Sequence, residues 1–322
     1  MKSNFLKKSI KTDDTGKRLI SRTTVNKYVF IIAMIIFPMT QFAIFYVYMN
    51  FNNIMMAFKG MRTDSSTYWV GLQNFKQALM GIDSRLIFIS LKNNVLMFFL
   101  TWFIGMPLNI MFGFYLFKKC PGHRVIRIIY MLPSMVSGVV MAMLFMKFVE
   151  LGLPNMWEEI FGKQLPNLIR NTSSAFGVQV FYTLWLGFAT SIIIYSNAMF
   201  AIDYSIIEAC KIDGANTLQE LIRIVIPMIV PTLSTYIITG FAGLFTGSGS
   251  LFIFYGLNGV PESTYFMGFY LFRIAMVGDL TAYPLSSAIS LMLTLVTIPI
   301  TLFVRWVMDK IDPMKDEYSA KS

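Results

Sequence analysis

Six long apolar runs, none with a charged side chain, constrain the fold of this sequence more than any other feature. They occupy residues 28–58, 93–117, 128–146, 171–202, 224–261 and 280–304. About 20 helical residues cross the roughly 30 Å hydrocarbon core of a bilayer, and each run is close to that length or longer. The alternating ten-residue pattern typical of a membrane β-barrel is absent. The sequence therefore predicts an all-α polytopic membrane protein with six transmembrane helices.

Composition supports the same fold class. Only 14% of the 322 residues are charged, whereas soluble domains average about 25%. The net charge of +10 comes from bases that flank the apolar runs and do not form one stripe, so no nucleic-acid partner is expected.

The distribution of bases predicts the orientation in the membrane. Of the 27 Lys and Arg residues, 18 lie before residue 28, at 118–127, at 203–223, or from residue 305 to the end. Because Lys and Arg are enriched on the cytoplasmic side, both termini are predicted to be cytoplasmic. This orientation divides the chain into a basic cytosolic tail (1–27), a six-helix transmembrane domain (28–308) and a cytosolic C-terminal tail (309–322).

The common catalytic and cofactor motifs are missing. The sequence contains no GxxxxGK[ST] phosphate loop, no HExxH and no GxSxG. His123 is the only histidine, and the isolated Cys120 and Cys210, both predicted to face the cytosol, favour neither a metal site nor a disulfide. We therefore expect no catalytic, metal-binding or cofactor-binding residue in this chain, and we predict that it is not an enzyme.

The cores of the six runs also lack Asp, Glu, Lys, Arg and His. Proton-coupled carriers usually keep such residues near the middle of the membrane as relays. If the protein moves a solute uphill, the energy is therefore expected to enter from outside the bilayer. A secondary carrier that couples to sodium through neutral oxygens remains an alternative.

A charged segment, residues 203–226, separates the fourth and fifth runs and includes most of the stretch EACKIDGANTLQELIRIVIP that begins at Glu208. Asp203 is predicted to be the N-cap of a short helix. Gly214 is predicted to end that helix, because glycine readily adopts the left-handed conformation.

A second short helix is predicted to follow in the same segment. Asn216 or Thr217 is expected to be its N-cap, with Glu220 completing a capping box after Thr217. Its apolar face is predicted from helical spacing: Leu218, Leu221, Ile222 and Val225. On these physical grounds the segment is either an amphipathic connector at the membrane surface or a docking element for another protein.

The segment resembles the signature of binding-protein-dependent ABC importer permeases. The signature is Glu-Ala-x-x-x-Asp-Gly-Ala, then Ile-Pro after a spacing of eleven residues, then another Pro four residues on. Here it consists of Glu208, Ala209, Asp213, Gly214, Ala215, Ile226, Pro227 and Pro231. The family usually has a second Ala where this chain has Cys210, which is also small.

The likeness extends from about residue 25 to 309. The stretches GLQNFKQAL, NNVLMFF, RVIRIIYMLPSMVSGVVMA, the Trp-Leu-Gly step at 185–187 and GFYLFRIAMVGDLTAYPLSSAISLML resemble the sugar-importer branch, in particular its oligosaccharide, polysaccharide and glycerol-phosphate permeases. The resemblance implies a type I importer fold in a bacterial cell membrane. It also implies import of a sugar, as an oligosaccharide or polysaccharide fragment, by alternating access.

The resemblance further implies partners. These are a second permease subunit in a heterodimer, two ATPase subunits that bind ATP and Mg²⁺, and an extracellular or periplasmic solute-binding protein. The coupling contact with the ATPase is implied for six residues of the signature: Glu208, Ala209, Asp213, Gly214, Ala215 and Pro227.

A sugar pathway needs aromatic surfaces and neutral hydrogen-bonding groups. Candidates in the predicted spans are Tyr182, Trp185, Asn197, Tyr236, Thr239 and Ser287, with Ser286 and Ser290 beside the last. The alternative for each is helix packing or anchoring at the membrane interface. Two rival functions are a self-contained secondary carrier and an intramembrane enzyme or sensor, although no reactive cluster or soluble output domain supports the latter.

Overall fold

The computed structural model describes residues 11–12, 18–19, 22–81 and 84–312. Most of the two predicted terminal tails, 1–27 and 309–322, therefore lies outside the described residues. The chain divides into two compact units, Met1–Met56 and Ala57–Ser322.

The first unit is dominated by one long helix. Two short strands, Lys11–Thr12 and Arg18–Leu19, pair antiparallel before it. The helix runs from Arg22–Gln41 through a π-helical stretch, Phe42–Tyr48, into Met49–Ala57. It contains the first helix long and apolar enough to cross a membrane, Asn26–Ala57.

The second unit contains five more helices of that kind in the described residues. They are Ser84–Phe117, Gly138–Phe161, Ala175–Phe200, Thr217–Ala242 and Leu280–Ile311, here called the second to sixth spans. Shorter helices are Gln73–Met80, His123–Met135, Tyr204–Ile212, Leu251–Tyr255 and Met267–Val277, with a 3₁₀ turn at Glu262–Thr264. A hairpin pairs Lys59–Met61 with Thr67–Trp69. The predicted count of six spans is confirmed.

Three spans contain a π-helical turn that ends two residues before a proline. These turns are Thr101–Gly105 before Pro107, Phe148–Gly152 before Pro154, and Leu221–Val225 before Pro227. Proline has no N–H and its ring clashes with the carbonyl four residues earlier, so a wider turn relieves the clash without ending the helix. At these three positions the helix is therefore widened and not broken.

The predicted third span, 128–146, is wrong in its boundaries. The helix His123–Met135 ends at an extended Val136 and Ser137, and a new helix begins at Gly138. Pro133 weakens the hydrogen bonding of the first helix, and the apolar run of the sequence continues through the break without any change in composition. The membrane-length helix is consequently Gly138–Phe161, which includes residues predicted to lie outside the membrane.

The predicted fifth run, 224–261, is also divided. Its helix begins earlier, at Thr217, and ends at Ala242, before an irregular stretch that contains Gly243, Gly247 and Gly249. The second helix predicted for the charged segment is therefore not separate. It is the first turn of the fifth span.

Two asparagines at the start of the second apolar run connect the second span to the last third of the chain. The Asn93 side-chain amide donates to the carbonyls of Ser263 and Tyr265, at 2.8 and 2.9 Å. The Asn94 amide donates to Leu244 O at 3.0 Å, and its oxygen accepts from Met267 N at 2.8 Å. Both side chains are buried, so these bonds hold irregular backbone in place inside the bundle.

Gly240 allows the second and fifth spans to approach closely. A Cβ at this position would overlap with Cζ2 of Trp102. Since real side chains do not approach so closely, the indole ring can occupy its place only beside a residue without a side chain.

We predict that Gly240→Ala lowers the unfolding midpoint of the purified protein, by the equivalent of about 1–3 kcal/mol, because the new methyl group overpacks the contact with Trp102. The matched control is Gly187→Ala in the fourth span, where a Cβ would meet nothing within 4 Å. Thermal unfolding in detergent measures both variants. Equal midpoints for the two variants would contradict the close contact.

Candidate functional site

The first helix of the charged segment, Tyr204–Ile212, begins as predicted. Asp203 is its N-cap, and the Asp203 carboxylate accepts hydrogen bonds from the backbone N–H and the hydroxyl of Ser205, at 3.0 and 2.9 Å. These two bonds lower the pKa of Asp203 below its ordinary value. The cap is therefore fully present above that ordinary pKa and is lost as the pH falls through the lowered one.

The helix ends in a Schellman motif at Gly214. Gly214 has φ +75°, its N–H donates to Lys211 O at 3.2 Å, and the N–H of Ala215 donates to Cys210 O at 3.0 Å. A Cβ at Gly214 would meet nothing within 4 Å, so the requirement for glycine is conformational and not steric. The predicted role of Gly214 in ending the helix is confirmed.

The capping box of the next helix differs from the prediction. Asn216 is the N-cap, and its partner is Gln219: Gln219 N donates to Asn216 Oδ1 at 2.9 Å, and Asn216 N donates to Gln219 Oε1 at 3.0 Å. Glu220 takes no part in the box. The prediction placed the box one residue too late because Asn and Thr are both good N-caps and both are followed at the right spacing by a suitable side chain.

Glu220 instead forms an ion pair inside the protein. Lys118 Nζ donates to both carboxylate oxygens of Glu220, at 2.9 and 2.7 Å. The Glu220 side chain is only 3% exposed and that of Lys118 is 22% exposed. Lys118 is the C-cap of the second span, so the pair joins the end of that span to the start of the fifth. Nothing in the local sequence pattern indicates this contact, which links residues 102 positions apart.

Apolar packing fixes the charged segment to the same two spans and to the fourth. Ile207, Leu221 and Val225 are buried in one cluster with residues of the second, fourth and fifth spans: Ile110, Phe114, Tyr195, Met199, Ile229 and Leu233. The predicted apolar face is thus only half correct, because Leu218 and Ile222 are 65% and 54% exposed. Only Leu221 and Val225 of the predicted face point into the core, where the cluster includes residues of the second span.

The signature residues lie mostly on the surface of this rigid turn. Glu208, Ala209 and Asp213 are exposed, whereas Cys210 is buried. Within the described residues the carboxylates of Glu208 and Asp213 have no hydrogen-bonding or ion-pair partner. Four exposed apolar side chains accompany the two acids: Tyr204, Ile212, Leu218 and Ile222.

A cavity of about 430 Å³ lies between the second, fourth and fifth spans. Its walls include Asn94, Thr101 and Trp102 from the second span and Gly243, Gly247 and Gly249 from the irregular stretch after the fifth. Its size falls in the range of small-molecule sites, about 300–1,000 Å³.

The cavity contains two of the six predicted pathway residues, Tyr236 and Thr239. Tyr182 and Trp185 instead pack with Phe145 and Phe254 in an aromatic cluster away from it. Asn197 is exposed near the end of the fourth span, and Ser287 is buried in the sixth. These four residues therefore lie outside this cavity, and helix periodicity gives no information on which face of a uniformly apolar span meets it.

Several polar residues of the cavity were not among the predicted ones. Asn94, Asn109, Trp102 and Tyr195 all line it. Asparagines inside an apolar run are a usable signal, because an amide in hydrocarbon needs a partner. In the described residues no group of three or more His, Cys, Asp or Glu side chains is arranged to hold a metal ion.

We predict that Lys118→Met destabilises the protein by about 3–5 kcal/mol, because it leaves the Glu220 charge buried without a partner. Lys118→Met combined with Glu220→Leu is expected to recover most of that loss, since both charges are then removed. Thermal unfolding of both variants in detergent tests the pair. Equal midpoints for the single and double variants would show that the ion pair is not formed.

Gly214→Ala is expected to destabilise the turn by about 1–2 kcal/mol, because an L-residue with a Cβ is strained at positive φ. Gly214→Asn is the matched control, since asparagine tolerates the left-handed conformation better. Limited proteolysis of the turn at residues 212–217 measures the effect. Cleavage that is equally fast in the two variants would argue against the conformational requirement.

Comparison with known proteins identifies relatives of this architecture. A family model described as binding-protein-dependent transport system inner membrane component matches residues 105–316, about two thirds of the chain. The multiple sugar-binding transport system permease protein MsmF of Streptococcus mutans is 26% identical over 287 residues, which cover 85% of this chain and 93% of the relative. The polygalacturonan/rhamnogalacturonan transport system permease protein YteP of Bacillus subtilis is 26% identical over 225 residues, 66% and 67% of the two chains.

The fold has been seen before in a solved structure. A chain in the crystal structure of a bacterial ABC transporter that imports the acidic polysaccharide alginate matches with a TM-score of 0.77 and 19% identity, over 90% of this chain and 98% of that one. A chain in the complex of an alginate ABC transporter with an alginate pentasaccharide-bound periplasmic protein matches with a TM-score of 0.74 and 17% identity, over 92% and 99%. The chain therefore belongs to the family of binding-protein-dependent transport system inner membrane components, which are membrane permeases and not enzymes.

Proposed function

We propose that this chain is a permease subunit that transports a carbohydrate across a bacterial cell membrane. A separate ATPase binds the charged segment, residues 203–226, and drives the transport. The observation that carries the proposal is the exposed, unpaired Glu208 and Asp213 on a turn that is itself rigidly joined to three spans. The names of MsmF and YteP support a carbohydrate as the cargo.

The orientation is part of the proposal. With both termini in the cytoplasm, 18 of the 27 Lys and Arg residues lie on the side where they are enriched in membrane proteins. The same orientation places the charged segment and the end of the second span, with Lys118, in the cytoplasm. An ATPase in the cytoplasm can then reach the segment.

The construction of the segment suits transmission of force. The fifth span begins at Thr217 inside the segment, so a displacement of the turn at Gly214 moves the helix directly. The ion pair of Lys118 with Glu220 passes the same displacement to the second span. The buried Ile207 packs with residues of the second and fourth spans and passes it to both. A partner that closes on ATP binding would thereby rotate three helices around the cavity.

The exposed chemistry of the segment indicates how a partner would hold it. Glu208 and Asp213 can accept charge-assisted hydrogen bonds from basic groups of the ATPase. The exposed Ile212, Leu218 and Ile222 offer apolar contact area. The small side chain of the exposed Ala209 allows a partner to approach the helix backbone closely. Lys211 instead lies over the Tyr204 ring at 5.7 Å, which favours a role within the helix.

The complete importer would contain more chains. We propose a second permease subunit, two ATPase subunits that bind ATP and Mg²⁺, and a solute-binding protein outside the membrane. The periplasmic binding protein in the alginate transporter complex supports the last of these. The cavity lined by Tyr236 and Thr239 is the proposed path of the cargo through this subunit. The maltodextrin permease MdxF of Bacillus subtilis is named for an uncharged sugar, whereas YteP and the alginate transporter are named for acidic ones. Similarity to these proteins therefore does not decide the charge of the cargo.

The test is Glu208→Ala in the co-purified importer, with Lys211→Ala as the matched control on the same helix. We expect Glu208→Ala to reduce transport-coupled ATP hydrolysis at least tenfold, since hydrogen bonds to charged groups contribute about 1.5–3 kcal/mol. Lys211→Ala should change it less than about fivefold, because exposed charged contacts are worth about 1 kcal/mol or less.

Two results would contradict the proposal. Normal coupling of ATP hydrolysis to transport in Glu208→Ala would show that Glu208 is not part of the contact with the ATPase. Uptake by this chain without any ATPase, abolished by collapse of the ion gradient, would establish a secondary carrier instead.

A further inference from the structure

The cavity between the second, fourth and fifth spans is lined entirely by uncharged residues. None of its eighteen lining residues is Asp, Glu, Lys, Arg or His. This distinguishes it from the ends of the second span, where Lys118 and Arg85 lie. Whatever occupies the cavity is therefore bound without an opposite charge from this subunit.

The polar groups of the cavity are nevertheless available to a ligand. Asn109 is 7% exposed, and its side-chain oxygen has no hydrogen-bonding partner. In the described part of the chain, the indole N–H of Trp102 and the hydroxyls of Ser191, Tyr195 and Tyr236 also make no hydrogen bond. Asn109 and Tyr195 are buried and the other three are partly exposed. Because buried polar groups are normally paired, this concentration of free groups indicates a site that is completed by a ligand or by water.

Aromatic rings supply the apolar part of the walls. Phe98 and Trp102 lie with ring centroids 5.7 Å apart, and Tyr195 meets Tyr236 edge-on at 5.9 Å. Because Gly240 has no side chain, the Trp102 indole packs directly against the fifth span. An aromatic surface beside free neutral donors and acceptors suits a molecule with an apolar face and hydroxyl edges.

We propose that the cavity selects an uncharged saccharide and discriminates against acidic ones such as uronates. This inference rests on the proposed function, of which it specifies the substrate class. Each sugar hydroxyl both donates and accepts, so it can pair with Asn109, with the Trp102 N–H and with the two tyrosines. A uronate carboxylate would lose its water against walls from which this subunit offers no cation, and an unpaired charge in such surroundings is strongly unfavourable.

Binding is measured by tryptophan fluorescence on the purified importer complex in nanodiscs without its solute-binding protein. The probes are uncharged malto-, cello- and xylo-oligosaccharides and acidic oligogalacturonates and oligomannuronates, matched in length. We expect the best uncharged probe to bind at least about tenfold more tightly than any acidic one, because of the unpaired charge. Trp102→Phe should remove the signal, and Trp185→Phe, in the aromatic cluster outside the cavity, should retain it.

A positive charge introduced into the cavity tests whether the missing cation causes the preference for uncharged saccharides. Asn109→Lys supplies a cation and is expected to reverse the preference towards uronates. Thr101→Lys at the exposed rim is a second variant that disturbs packing less, and Thr101→Gln is its uncharged match, which should keep the original preference.

The outcomes separate this inference from the proposed function. Uronates that bind the unmodified complex as tightly as uncharged probes would overturn the inference and leave a carbohydrate cargo in place. An unchanged preference in both Lys variants would overturn the assignment of this cavity as the discriminating site. If neither class binds while the complex hydrolyses ATP, both this inference and the carbohydrate cargo of the proposed function are wrong. The role of the charged segment in coupling is tested separately, by Glu208→Ala.

Discussion

The absence of water from a bilayer is the constraint on which the rest of this structure depends. A backbone group in hydrocarbon must find its hydrogen bond inside the protein, so six membrane-length helices account for most of the described chain. Where the backbone departs from the regular α-helix, a wider helical turn or a polar side chain accommodates the backbone groups. Pro107, Pro154 and Pro227 each follow a π-helical turn, and Asn93 and Asn94 bind the carbonyls of irregular backbone between residues 244 and 265. Irregular backbone inside the bundle adjoins the cavity, which is where such structure is tolerated.

The second organising interaction is the buried pair of Lys118 and Glu220. On its own a buried ion pair is weak evidence for stability, because desolvation offsets much of its Coulombic attraction. Its geometry matters more here: it fixes the start of the fifth span against the end of the second, next to the buried Ile207, Leu221 and Val225. The turn at Gly214 is therefore rigid at its base and exposed at its tip. A segment that must pass a movement from a partner to several helices needs both properties.

The cavity and the charged segment contrast in their polarity. Lys118 satisfies the charge of Glu220, while the exposed Glu208 and Asp213 have no partner in the described residues. In the cavity the free groups are neutral and partly buried. Free charges at the surface suit a protein partner with complementary charges, and free neutral groups between aromatic rings suit an uncharged polyhydroxylated ligand.

The sequence by itself determined the fold class, the number of spans, the N-cap at Asp203 and the end of the helix at Gly214. These depend on composition and on contacts between residues a few positions apart, which a local pattern contains. It misplaced the third span and the start of the fifth, since a continuous apolar run does not reveal where a helix breaks. It did not identify the pair of Lys118 with Glu220, the cavity position of Asn109, or the packing of Tyr182 and Trp185 with Phe145 and Phe254. Only the tertiary structure decided these, because each depends on which faces of distant helices meet, and in a span that is apolar all round the sequence does not distinguish one face from another.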